Sequence, residues 1–533
     1  MNIPHLTVLD GLGIIAVLWI LSRIAENVRR RFHTTPLKGP PNPSLIWGVS
    51  HLVSHSRETG GIYEEWAGLY GPVFRVAAPL GSSRLVVTDP KAAAHVFSQD
   101  TWNYTHTMAS KAAIKNILGK GLLWSDGERH RMQRKALTPG FSNAAIRRLT
   151  AVYYDSAYKV KTSWDSQIES GSGDGAIIDV EDWMNHVSLD TIGIAGFSHD
   201  FGTLLGKHAP VADAFDLLGH VKPSFSVIAI LALGTVLPFM MNIPTERNVL
   251  LHHLNKSMEE IAGELLENTR KEAEGAASKV DNSIIGLLIK AEKMEGGMQM
   301  THDEVMAQMK LLILAGYETT SISLTWALIE LCRTPDVQKK VREELSQYSG
   351  TDPTWDELTH GLPYLDGIVQ EVLRLHPPVA ESSRVATVDD VIPLTAPIET
   401  SKGTYVERLY VARGETVAVP ITLMNCSTAM WGPDAKQFKP ERWINESGLP
   451  KRAQEIQGHR HLLTFLDGPR MCLGRAFALA EFKAVLSVLV RNYEFELVDG
   501  ADSKFTLSRG LVPRPVLDGQ EGGLVPMRVR RVD

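Results

Sequence analysis

Hydrophobic and polar positions divide this chain into an apolar head, a proline-rich neck and a long body dominated by helical periodicity. Leu6 to Leu21 is apolar except for Thr7, Asp10 and small glycines, and Arg23, Arg29, Arg30 and Arg31 follow it. As a helix this run reaches ~24 Å, slightly short of a ~27 Å endoplasmic-reticulum bilayer core. Flanking residues from Ile3 to Ile24 make up the difference. Cations after a span hold the downstream chain on the cytosolic side. A cleaved signal peptide would carry charges before the apolar run and a small-x-small site after it; the chain has neither. Residues 1–31 are therefore expected to be an uncleaved transmembrane anchor helix with a basic stop. Residues 32–45, with Pro36-Leu-Lys-Gly-Pro-Pro41-Asn-Pro43, cannot propagate helix and should form a stiff extended linker.

The body, 46–533, opens with two short strands, Val73 to Ala77 and Ser82 to Asp89, around a turn at Pro79-Leu-Gly81. Beyond Pro90 helical periodicity takes over. Its longest run is His302 to Arg333, started by the capping pair Thr301/Glu304 and stopped at Pro335. Against a mean helix of ~11–12 residues, one this long should cross the whole molecule. Thr354 with Glu357 marks another capped start, and Pro363 opens a helix to Leu375. The expected fold class is mainly α with small β-sheets. Ser226 to Met241 is a second apolar run, too interrupted for a confident span; it is either a core helix or a surface element dipping into lipid. Ser170 to Gly175, only Gly, Ser and Asp, reads as an exposed loop; no strand precedes it, so it is no dinucleotide site.

Composition narrows the function classes. Hydrophobic content of 44% and charged content of 22% are ordinary for a globular protein, and a net charge of -6 gives no reason for a nucleic-acid partner. Three cysteines, Cys332, Cys426 and Cys472, are too few for a disulfide framework, and no C-x-x-C pair or C-x-x-C-H occurs. The N-x-S/T sequons at Asn103, Asn255, Asn425 and Asn445 would all lie in the cytosol, where they are chance matches.

Candidate chemistry centres on Phe465-Leu-Asp-Gly468-Pro-Arg470-Met-Cys472-Leu-Gly474. A thiolate that ligates a metal from a loop needs close backbone approach, which glycine allows, and nearby positive charge, which Arg470 offers. The helical pattern after Arg475 would aim its positive dipole end at the sulfur. A buried structural cysteine is the plain alternative. The run resembles the haem-binding signature of the cytochrome P-450 family, F-x-x-G-x-R-x-C-x-G, at every specified position: Phe465, Gly468, Arg470, Cys472 and Gly474. The resemblance implies haem b (iron protoporphyrin IX) with Cys472 as its axial cysteine thiolate, the metal ligand.

Three further segments resemble the same family. Ala315-Gly316-Tyr317-Glu318-Thr319-Thr320 lies in the long helix; Gly316 removes a side chain where a bulky group must pack, and Glu318 and Thr319 place an acid and an alcohol beside it. By the resemblance this acid–alcohol pair relays protons to dioxygen; otherwise it is a glycine-weakened helix with a back-bonded threonine. Glu371-Val-Leu-Arg374 puts acid and base on one helix face, and with Arg442 of Pro440-Glu441-Arg442-Trp443 the resemblance makes this triad the structural lock of the core. A family tryptophan four residues before Arg134 is replaced by His130, which can donate one N–H and add positive charge. Arg134, Arg384 and Arg470 are the other candidates for the haem propionates.

The resemblance, which runs from about Pro40 to the chain end, implies a cytochrome P-450 fold behind the anchor and a fungal, microsomal type. It implies a monooxygenase that hydroxylates a lipophilic small molecule such as a terpenoid or sterol with O2. Pocket walls would come from 101–122, 213–245, 379–384 and 511–512. No flavin or nicotinamide module follows Cys472, so electrons derived from NADPH would come singly from a separate NADPH-cytochrome P-450 reductase, with cytochrome b5 as a second donor. The single anchor would place the catalytic domain on the cytosolic face of the endoplasmic reticulum. Family members that rearrange peroxides tend to lose the acid–alcohol pair, and a haem sensor has no need of it; this chain keeps it.

Overall fold

The computed structural model describes residues 22, 25, 28–30, 32–55, 60–171, 175–213, 225–234, 237, 240, 243–275, 283–294, 299–445, 448–508, 511–518 and 524–532. The expected anchor over Leu6 to Leu21 and the tip of the Ser170 to Gly175 loop lie outside these residues.

Among the helices of the described residues, seven bear on the site: α1 (Pro90–Ser98), α2 (Gly127–Leu137), α3 (Asn143–Ser170), α4 (Val180–Phe197), α5 (His302–Arg333), α6 (Pro363–Leu375) and α7 (Arg475–Asn492). Helix α5 has the bounds read from the sequence, because Thr301 and Glu304 close a reciprocal capping box. Every residue from Thr320 to Cys332 is buried, as expected of a helix apolar on all sides. Helices α4, α6 and α7 pack against it. Helix α6 also matches its expected bounds, with Pro363 at its first position. Among the described residues α5 alone is long and apolar enough to cross a membrane, and it is the core helix.

Among the described residues, alternating apolar runs make four small sheets. Strands β1 (Val73–Ala77), β2 (Ser83–Val87), β3 (Tyr104–His106), β5 (Ser382–Ala386) and β8 (Thr416–Val419) form one sheet in the order β1-β2-β8-β5-β3. Strands β2 and β8 run parallel. Strands β4 (Ala176–Asp179), β9 (Tyr493–Leu497) and β12 (Pro526–Arg531) form a second, ordered β4-β12-β9. Two hairpins complete the set, β6 (Asp390–Glu399) with β7 (Tyr405–Val411) and β10 (Phe505–Leu507) with β11 (Pro515–Leu517). The body is mainly helical with small sheets. One start signal yields less than expected: Thr354 and Glu357 cap each other at 2.7 Å and 3.3 Å, but the turn they open is only Glu357–Gly361, cut short where Pro363 begins α6.

Burial of α5 breaks at mid-helix. Ala315 is exposed, and Leu311 and Thr319, one turn to either side, are half-buried. This i, i+4, i+8 stripe is one face of the middle turns that protein does not cover. One residue on from Ala315, the opposite condition holds. A Cβ on Gly316 would stand 2.5 Å from Ile192 Cγ1 of α4, so the bulky group the glycine admits is a neighbouring helix.

Candidate active site

The cysteine loop is built around Gly468. Its φ is +67°, and a Cβ there would overlap the carbonyl of Phe97 at the end of α1, so only glycine fits. The Phe465 carbonyl accepts the Cys472 amide at 2.8 Å and closes the loop; the half-buried Phe465 ring meets His459, ring centroids 6.2 Å apart. Helix α7 starts at Arg475 with Gly474 as its N-cap. Burial pushes the Cys472 thiol up, while the Gly474 amide and then the charge of Arg134 pull it down; burial prevails. A bound cation reverses that balance, because a coordinating thiol is deprotonated outright. Cys472 is nonetheless accessible, although the protein around it is dense enough to push its thiol up. Gly474 differs from the expectation. Its φ is -83° and only Phe141 Cε1, at 3.8 Å, lies near its missing Cβ, so among protein contacts Gly468 alone needs glycine.

Beside the loop the structure gathers cations. Helix α2 brings His130 and, one turn on, Arg134, whose guanidinium senses Cys472. Strand β5 brings Arg384, whose Nε donates to Asp100 Oδ2 at 2.8 Å and Nη1 to the Ser383 carbonyl at 3.1 Å. Arg470 donates from Nε to Asp100 Oδ1 (3.1 Å) and from Nη1 to the Leu122 and Leu123 carbonyls (3.5 and 3.2 Å). Its Nη2 reaches the Ser125 carbonyl (2.7 Å) and Asp126 Oδ1 (2.6 Å). All five N–H groups of Arg470 thus face protein acceptors, so in this geometry it clamps the cysteine loop to segment 122–126. Arg384 keeps Nη2 without a protein acceptor among the described residues.

His130 departs from expectation. It is buried, and burial, Arg470 and Arg134 in that order push its pKa down to about 3. It is neutral at physiological pH and contributes an N–H but no charge. Sequence reasoning missed two groups altogether. His106 of β3 pairs opposite Arg384; its Nε2 is buried with no hydrogen-bond partner, and burial followed by Arg384 pushes its pKa down to about 2. Asp100 is wholly buried between two arginines. Neither stands in a sequence pattern that would announce it.

The acid and alcohol of α5 part company. The Thr319 hydroxyl donates to the Ala315 carbonyl at 2.8 Å, on the uncovered stripe, and keeps its capacity to accept. Glu318 is buried and ion-paired with Arg514, which also donates to Glu181 of α4 at 3.0 Å. Arg514 comes from the turn before β11, and no spacing in the sequence links it to α5.

The structural triad is fully assembled. Arg374 Nε and Nη2 grip Glu371 at 2.8 Å each, with both side chains wholly buried. Its Nη1 holds the carbonyls of Asn425 (3.0 Å) and Ala435 (2.5 Å), and Nη2 that of Gln437 (3.2 Å). Glu371 also accepts from Arg442 (3.4 Å) and the Trp443 indole (2.9 Å).

These residues fit a haem. An accessible cysteine stands at a helix N-terminus, and an uncovered stripe of the central helix carries an alcohol. Around the neutral His106 and His130 lie four cations, Arg134, Arg384, Arg470 and Lys111, against two carboxylates, Asp100 and Asp126. The surplus of two positive charges matches the two propionates of protoporphyrin. Fold and site together define a haem-thiolate protein. Comparison with known proteins agrees: the cytochrome P-450 family model matches residues 38–518. Cytochrome P-450 monooxygenase claQ of Ampulloclitocybe clavipes is 55% identical, covering 98% of each chain. Cytochrome P-450 monooxygenase claP of the same organism is 54% identical over 100% of this chain and 99% of its own. Cytochrome P-450 monooxygenase 205 of Postia placenta is 34% identical over 93% of both. This chain belongs to the cytochrome P-450 family and is a haem-thiolate monooxygenase, an oxidoreductase.

Proposed function

We propose that the enzyme hydroxylates a lipophilic small molecule of the terpenoid or sterol kind in secondary metabolism, at the cytosolic face of the endoplasmic reticulum. Cys472 would hold the haem iron, and Arg134, Arg384 and His130 would meet the propionates. The haem supplies binding and reductive activation of dioxygen. Electrons would come from NADPH through a cytochrome P-450 reductase, with cytochrome b5 as an alternative second donor. The observation that carries the chemistry is the stripe Leu311, Ala315 and Thr319, uncovered in the middle of an otherwise buried helix. Back-bonded to Ala315, the Thr319 hydroxyl offers its lone pairs to a proton donor there. Glu318 would relay a proton toward it only by leaving its ion pair with Arg514 and first taking a proton up.

Exposed apolar side chains support membrane contact. Leu45, Ile46 and Leu80 are all exposed, and the Leu80 amide donates to the Ile46 carbonyl at 3.1 Å. The apolar helix Phe225–Gly234 touches this same Pro79–Gly81 turn, which sets the second apolar run beside these exposed residues, a juxtaposition suited to lipid contact. The test is reconstitution in bilayers with the reductase, NADPH and a panel of terpenoids and sterols. Substrate-dependent NADPH and dioxygen consumption with hydroxylated product is expected, and Thr319→Ala should divert electrons to peroxide. Haem-loaded enzyme that consumes no NADPH with any lipophilic substrate would overturn the proposal.

A further inference from the structure

Two arginines with no sequence proximity are held side by side by one carboxylate. Asp100 has no exposed surface and directs one oxygen to each of them, Oδ2 to Arg384 and Oδ1 to Arg470. We propose that Asp100 is the positioning residue of the propionate cradle, aligning the two guanidinium groups and setting the cradle's charge at two positive. The inference rests on the haem-thiolate reading.

Three observations carry it. Both arginines are engaged through Nε, which fixes the plane of each guanidinium and leaves the far end of Arg384 directed elsewhere. Charges at this depth are costly: burial first and then Arg470 disfavour the charged form of Arg384, while Asp100 favours it, so the carboxylate is what allows the pair to coexist. Asp100 is itself rigidly held. Its Oδ1 accepts the Thr101 amide at 2.8 Å. Thr101 adopts a φ of +73°, unusual for a β-branched residue. That turn is fixed by the Tyr104 carbonyl, which accepts the Thr101 amide, and by the Gly127 amide at the start of α2, which donates to the Thr101 carbonyl. One acid therefore couples α2, β5 and the cysteine loop, the segments that bear the cradle's three arginines, Arg134, Arg384 and Arg470.

Partners that orient the groups holding a bound metal typically account for about 10–100-fold in affinity. The experiment compares Asp100→Asn with wild type and with Glu415→Gln, each expressed with haem. Glu415, the residue before β8, is another buried acid, 2.7 Å from Arg75, and reports plain loss of a buried ion pair. Asp100→Asn should keep the red-shifted carbon monoxide band yet lose haem to apomyoglobin about 10–100-fold faster. Its haem reduction potential should rise, since a negative charge is gone. Glu415→Gln should change neither. If Asp100→Asn is too unstable to load haem, the charge-retaining Asp100→Glu must load it; failure of both overturns the proposal. So does haem loss within twofold of wild type at an unchanged potential, or equal acceleration by Glu415→Gln. A wild-type protein lacking the red-shifted band would instead refute the haem-thiolate reading itself.

Discussion

Replacing Gly316 by alanine sets two known effects against each other. Alanine in a helix interior gains about 1 kcal/mol over glycine. Here, however, the new methyl would stand 2.5 Å from Ile192 Cγ1 and 2.9 Å from both Cβ and Cδ1. Rotamer changes move Cγ1 and Cδ1 but not Cβ, so α4 and α5 must separate. Overpacking of this kind costs about 1–3 kcal/mol, so Gly316→Ala should be neutral to about 2 kcal/mol destabilising. Ile192→Ala alone should cost about 2–5 kcal/mol, as large-to-small core changes do. In the Gly316→Ala background it should cost at least ~1 kcal/mol less, because the clash is gone and the methyl partly fills the space; contacting residues commonly couple by ~0.5–3 kcal/mol. Urea unfolding of the four haem-loaded proteins, followed by circular dichroism, measures the cycle. A stabilised Gly316→Ala, together with an Ile192→Ala cost identical in both backgrounds, would refute the packing assignment. The glycine would then be serving the uncovered stripe instead.

Two further perturbations test other parts of the site. Arg374→Ala strips a buried carboxylate and three carbonyls of their donor; breaking one side of a buried ion pair costs ~3–5 kcal/mol, about two to three and a half decades in the folded ratio at ~1.4 kcal/mol per decade. Haem-loaded chain should fail to accumulate, and a loss under ~1 kcal/mol by urea titration would contradict the lock. His130 has a folded pKa near 3, below its ordinary value of 6.5. The unfolded chain therefore binds more protons between those values, and the stability His130 contributes is present above pH 6.5 and lost as pH falls toward 3. Unfolding midpoints of His130→Gln should fall less steeply than wild type from pH 7 to 5; parallel curves would show that His130 is not held neutral.

Local signals were legible because they act within a few residues. The capping box at Thr301 and Glu304, the proline start of α6 and the helix after Arg475 are each decided by their own neighbourhood. Cys472, flanked by Gly468 and Gly474 and preceded by Phe465 and Arg470, likewise announces its chemistry as a pattern. What the sequence hid is non-local. Glu318 finds Arg514, Gly316 finds Ile192, and Asp100 finds Arg384 and Arg470; each pair is brought together only by tertiary packing. The neutrality of His130 follows from burial beside arginines, which no spacing reveals. Arg470 read as a ligand fork because its motif is local, whereas its acceptors at Leu122 to Asp126 are distant in sequence.

The most direct test of the central claim is the carbon monoxide difference spectrum of the reduced protein, wild type beside Cys472→Ser. A strongly red-shifted Soret band in wild type that is absent from the variant is the predicted result and establishes Cys472 as the thiolate ligand. The same unshifted band in both proteins, or no haem in either, would contradict the assignment of Cys472 and the chemistry built on it.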